Sequence, residues 1–143
     1  MTRTIRVHEL GGPEVLRIEE FEVGAPGPGE VRIRVSAVGL NRSEAMYRAG
    51  RYPTKPQLPS LIGYEGVGTI EALGPGVEGF AVGERVCVLP MISQGQYGIW
   101  AEQAIDTEPA QLASWIAAMP TLEEAARMMT PSSMPTFATS MIA

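Results

Sequence analysis

From residue 1 to about residue 105 the chain is a series of short apolar runs cut by Gly and Pro, the punctuation of a strand-rich domain with tight turns. Along residues 31–38, Val31, Ile33 and Val35 alternate with Arg32, Arg34 and Ser36. A period of two puts the apolar side chains on one face and leaves the other wet. Residues 16–21 suit a second strand, and the turn-rich Gly24-Ala25-Pro26-Gly27-Pro28-Gly29 predicts that the two are joined as a pair in a curved, half-exposed sheet. Further strands are expected over residues 67–73, 84–89 and 98–105, with a first strand at the N-terminus that includes His8. Residues 43–48 follow Asn41 as a short helix, which places Tyr47 about one turn from Ser43. Pro53, Pro56 and Pro59 then force an extended surface loop.

After Asp106 the pattern changes to Ala, Met, Thr and Glu. Pro109 suits a first helical position, residues 110–119 are helix-prone and Pro120 stops them. Thr121 and Glu124 have capping-box spacing for a second helix, and a third is expected to begin near Thr136. The expected division is therefore a strand-rich domain over 1–106 and a helical connection over 107–143.

At 143 residues with 45% hydrophobic content the chain can build one real core. Sixteen acidic against eleven basic residues give a net charge of −5 without a basic stripe, which argues against nucleic acid as a partner. The first residues lack the apolar core and cleavage site of a signal peptide, and no apolar run approaches a membrane span. A cytoplasmic location without membrane partners is expected. The single Cys87 lies in the run Val86-Cys87-Val88-Leu89 and reads as a buried structural thiol.

Gly74, Gly76 and Gly79 have the spacing of a dinucleotide fingerprint, but the sequence after them runs through Gly83 into a strand where the fingerprint needs a helix. They read as a turn. His8 and Cys87 are the only strong zinc ligands, and catalytic zinc takes three held together, so no metal is expected.

The segments Val38-Gly39-Leu40-Asn41-Arg42-Ser43-Glu44, Tyr47-Arg48-Ala49-Gly50-Arg51-Tyr52-Pro53 and Gly63-Tyr64-Glu65-Gly66-Val67-Gly68 resemble the medium-chain dehydrogenase/reductase superfamily, specifically its zinc-free quinone oxidoreductase branch. Zinc-dependent members carry Cys at the position of Asn41 and His at that of Tyr64. The resemblance implies a mainly β fold with short helices (α+β), a GroES-like partly open β-barrel followed by a helical tail. It is strongest over residues 11–104, and Leu122-Glu123-Glu124-Ala125-Ala126 still resembles the family's connection toward a Rossmann cofactor domain, which is expected to be absent from this chain.

The resemblance also implies chemistry. Asn41, Tyr47 and Tyr52 match positions that line the cleft beside nicotinamide and substrate, where an amide orients a carbonyl and a phenol bonds a developing enolate oxygen. Asn41, Arg42 and Ser43 match positions near the cofactor. The competing role for these residues is structural, with the aromatic rings packing a loop and Asn41 capping the helix. Glu65 is open to two readings, a carboxylate that fixes the local backbone or a proton-transfer group. The implied activity is hydride transfer from NADPH or NADH to a small-molecule quinone or enone, without zinc and with this fragment alone inactive. The alternative is a noncatalytic module that binds a partner or self-associates, for which Met119, Met128, Met129, Met134 and Met141 would supply an adaptable apolar surface; a homo-oligomer is expected on either reading.

Overall fold

The computed structural model describes residues 1–88 and 94–106. Among these residues the strands are β1 (Thr2–Val7), β2 (Leu16–Phe21), β3 (Val31–Val38), β4 (Ser60–Leu61), β5 (Gly66–Leu73), β6 (Arg85–Val88) and β7 (Gln103–Asp106). A helix, α1 (Arg42–Arg48), lies between β3 and β4, and a 3₁₀ turn, Pro13–Val15, precedes β2. The helices expected beyond residue 106 fall outside the described residues.

All strand pairs are antiparallel. They form a three-stranded sheet in the order β2-β1-β4 and a four-stranded sheet in the order β6-β5-β3-β7. The result is the mainly β, partly open architecture expected, with the sheets not closed into a barrel among the described residues. One expectation is corrected: β2 and β3 are not partners. β2 pairs with β1 along its whole length, from Thr2↔Phe21 to Val7↔Leu16, while β3 pairs with β5 and β7. The proline- and glycine-rich connection is a crossing between sheets, because Gly74 donates to Glu30 and Gly29 donates to Pro75, tying that connection to the β5–β6 turn.

β3 follows its alternation: Val31 and Ile33 are fully buried and Arg34 is exposed. Its pairing with β5 is irregular between Arg32 and Ile33 and again between Val35 and Ala37. Such a bulge bends the strand and re-aims the chain beyond it, here the segment leading into Asn41 and α1. The Gly74 to Gly79 stretch is a turn that enters β6, with Gly76 at φ +79°, a conformation that favours glycine.

Among the described residues the core has two centres. Val31, Ile33, Ile70, Val86, Val88, Ile99 and Ala104 fill the four-stranded sheet, and Val7, Val15, Tyr47 and Ile62 fill the other. Burying each such aliphatic side chain stabilises by about 1.5–3 kcal/mol. Trp100 packs against both centres. Its backbone accepts from Ile5 at 2.8 Å and donates to Ile62 at 3.0 Å. This corrects the strand expected over 98–105: its second half is β7, whereas its first half crosses between the sheets and bonds to both. Nor does the first strand include His8; β1 ends at Val7, and the exposed His8 ring pairs with Glu19 across the hairpin. Among the described residues no helix is long and apolar enough to cross a membrane.

Candidate functional site

Three segments build the site: the exit of β3 through Gly39, Leu40 and Asn41 into α1; the loop after α1 that carries Tyr52; and the link between β4 and β5 that carries Tyr64 and Glu65. Asn41 is the N-cap of α1 with extended backbone, and it forms a capping box with Glu44. The Asn41 backbone N–H donates to Glu44 Oε2 at 2.9 Å, and the Ser43 hydroxyl donates to the same oxygen at 3.2 Å. Asn-x-x-Glu is the spacing such a box requires, since it brings the third helical side chain back over the cap.

Glu44 is only 1% exposed. Its Oε1 and the Nδ2 of Asn41 are both buried without a hydrogen-bond partner. An unmet buried polar atom costs about 1–3 kcal/mol, so this corner holds unused hydrogen-bonding capacity. The capping role weighed for Asn41 is thus present, and it occupies only part of the amide.

At the other end of α1, Arg51 and Tyr52 both donate their backbone N–H to Met46, which holds the Tyr52 loop against the helix. Tyr52 stands edge-on to Tyr47 at 6.4 Å and to Tyr64 at 6.3 Å between ring centroids, the arrangement aromatic quadrupoles favour. The Tyr52 and Tyr64 hydroxyls lie 3.2 Å apart. Tyr47 is placed differently. Its ring is 2% exposed and its hydroxyl is 2.9 Å from Ser60 Oγ. Ser60 gives its own proton to the Leu61 carbonyl at 2.8 Å, so Tyr47 is the donor. Beside this buried phenol a recess of about 430 Å³ is lined by Thr54, Lys55, Gln57, Gly95 and Gln96.

The Tyr64 link is fixed from behind. Gly63 has φ +118°, and a Cβ there would lie 2.6 Å from the Trp100 backbone nitrogen, so only glycine fits this approach. The Trp100 indole donates to the Gly39 carbonyl at 3.2 Å, and Gly39 donates to the Glu65 carbonyl at 3.0 Å. For Glu65 it is therefore the backbone that ties the segments together; among the described residues its carboxylate makes no hydrogen bond, and its side chain lies over Gly39.

The Tyr64 phenol is pushed up to about 12, first by its hydrogen bond with Tyr52, then by burial, and further by the charges of Tyr52 and Glu44. It stays a neutral hydroxyl at physiological pH. Burial raises the Cys87 thiol, with a smaller contribution from the Glu65 charge, which suits a half-buried structural sulfur. Arg42 is exposed at the start of α1. The amide at Asn41 and the neutral phenol at Tyr64 do not fit zinc, and among the described residues no group of three His, Cys, Asp or Glu side chains could hold a metal.

The structure thus brings Asn41 and Ser43 together around Glu44, and Tyr47 and Tyr52 around a stack that ends at Tyr64. Sequence reasoning passed over Glu44 and the pairing role of Tyr64. The capping-box spacing was a signal for Glu44; nothing local signals the contact between Tyr52 and Tyr64, which are twelve residues apart.

The Alcohol dehydrogenase GroES-like domain family matches residues 27–117. A quinone oxidoreductase of Pseudomonas aeruginosa is 41% identical over 107 residues, covering 73% of this chain and 33% of that protein. A 2-haloacrylate reductase of a Burkholderia species is 37% identical over 110 residues, covering 74% of this chain and 33% of that protein. A mycobacterial protein solved in complex with NADPH superposes with a TM-score of 0.63 at 38% identity, over 75% of this chain and 32% of that one. The chain spans about a third of the length of the curated relatives it matches. With the family match covering more than half of its residues, the chain belongs to the alcohol dehydrogenase GroES-like domain family, and its relatives there are oxidoreductases of the quinone oxidoreductase type.

Proposed function

We propose that this chain is the substrate-binding part of a zinc-independent, NAD(P)H-dependent oxidoreductase that reduces a quinone or an activated alkene in the cytoplasm. The observation that carries this is the unpartnered, buried amide nitrogen of Asn41 at the cap of α1, the helix whose following loop carries Tyr52, hydroxyl to hydroxyl with Tyr64. When bound, the reduced nicotinamide supplies a hydride. As hydride reaches the acceptor, negative charge develops on its carbonyl oxygen. An N–H from Asn41 and an O–H from Tyr52 are the fixed donors that stabilise such an oxygen without reorganising.

The relatives support this direction, since one is named for quinones, one for an electron-poor alkene, and a third binds NADPH. For the cofactor, Arg42 offers an exposed positive charge at the start of α1, suited to a phosphate, and Asn41 can serve the nicotinamide side. Ser43 spends its hydroxyl proton on Glu44, so it contributes by fixing the cap. Tyr47, expected with Asn41 and Tyr52 to act on substrate, gives its proton to Ser60 and acts through the ring of Tyr52.

The test is NADPH oxidation with naphthoquinone by the product of the whole reading frame that contains this chain, with zinc content measured on the same sample. Asn41→Ala or Tyr52→Phe is expected to lower kcat/KM by about 100-fold, with no stoichiometric zinc, and this chain alone is expected to turn over at background. Full activity in both variants, or activity that a zinc chelator abolishes, would overturn the proposal.

A further inference from the structure

Tyr64 has no part in the chemistry proposed above, yet its hydroxyl is 3.2 Å from that of Tyr52 and its ring is edge-on to the same residue. A phenol has one proton to give. If Tyr52 donates to Tyr64, Tyr52 has no proton left for a ligand; if Tyr64 donates to Tyr52, the Tyr52 proton is free. Behind them, Glu44 accepts from Asn41 and Ser43 through one carboxylate oxygen and keeps the other buried and unpartnered.

We propose that Tyr64 is a positioning residue whose hydroxyl donates to that of Tyr52, leaving the Tyr52 proton aimed at the oxygen of a bound carbonyl compound. This rests on the carbonyl-acceptor reading above. Two arrangements support it. The hydrogen bond with Tyr52, burial and the Glu44 charge all favour the protonated form of Tyr64, so at neutral pH it carries a proton to give. A donor that itself accepts a hydrogen bond is polarised by it and donates more strongly, which makes Tyr64 to Tyr52 to carbonyl oxygen a mutually reinforcing chain. The ionisable groups acting on Tyr64 are Tyr52, from the loop after α1, and Glu44, from α1 itself.

The experiment is a pH titration of this chain carrying ring-labelled tyrosine, followed by NMR with circular dichroism as a check on folding, and without quinone or NADPH. Tyr64 is expected to remain un-ionised well past its ordinary value of 10.0. In Tyr52→Phe it ionises about one unit lower, a tenfold change in its acid constant, and Glu44→Gln moves it the same way by less. An unchanged Tyr64 titration in Tyr52→Phe overturns the proposal. Should that variant fail to fold, Tyr64→Phe provides the reciprocal reading: the Tyr52 ring signal at neutral pH shifts if the hydroxyls are bonded, and a signal that stays put overturns the proposal. In the naphthoquinone assay Tyr64→Phe is expected to lower kcat by about tenfold with little change in KM, and wild-type kcat would equally overturn it. Because the titration contains no substrate or cofactor, its failure is distinguishable from failure of the quinone reading.

Discussion

At the scale of single residues, the three tyrosines of the site divide by where their protons go. Tyr47 gives its own to Ser60 inside the core, while Tyr52 and Tyr64 share theirs at the edge of the domain. The consequence is testable by stability alone. Tyr47→Phe keeps the ring, its packing against Val7, Val15 and Ile62 and the edge-on contact with Tyr52, and removes one buried hydrogen bond. Ser60 retains Leu61 as an acceptor, so the loss is expected at about 0.5–1.5 kcal/mol. Urea denaturation should show a lower midpoint at unchanged slope. A loss above about 3 kcal/mol would mean that the ring itself had moved.

At the scale of elements, the site stands where α1 is capped and where the β4–β5 link presses on the Trp100 segment. Both are backbone arrangements, which is why they hold side chains to a fixed geometry. Gly63 is a tight point: its left-handed conformation and the Trp100 nitrogen behind it leave no room for a side chain. Gly63→Ala is expected to destabilise by at least about 2 kcal/mol. It should also disturb Tyr64, its immediate neighbour, so thermal unfolding and the Tyr64 ring signal are expected to change together. Retention of both would show that the link has an alternative path.

Across the whole molecule, Ile5, Ile18, Val38, Leu40 and Trp100 line a shallow apolar groove of about 310 Å³. Leu40 is 80% exposed and Ile18 is 74% exposed, and Leu40 is the residue before Asn41. Clustered apolar surface of this kind is uncommon on a solitary soluble domain. The expected outcome is concentration-dependent self-association of the isolated chain, read by light scattering and weakened in Leu40→Ser with Ile18→Ser. A strictly monomeric mass at high concentration would argue against it, and would also remove support from a noncatalytic self-associating module.

Local patterning was enough to place most strands, the helix and the turn. Period-two alternation gave β3 its buried face, Asn41 ahead of residues 43–48 marked the start of α1, and Gly76 marked a turn where a fingerprint helix would have been needed. Each of these depends on neighbours a few residues apart, where backbone sterics and local hydrogen bonds decide. Family-level resemblance was legible for the same reason, in contiguous motifs around Asn41, Tyr52 and Tyr64. Which of those residues meet was settled by the folded chain alone. β2 and β3 were assigned to different sheets by pairings with β1, β5 and β7 that no local pattern encodes. Tyr47 was drawn into the core by Ser60, thirteen residues away, and Tyr64 was set against Tyr52 because Trp100, far along the chain, fixes the backbone of the link that carries it. Hydroxyl geometry depends on such long-range contacts: a shift of an ångström decides whether a phenol bonds a core residue or faces the site, and residue order carries no measure of that distance.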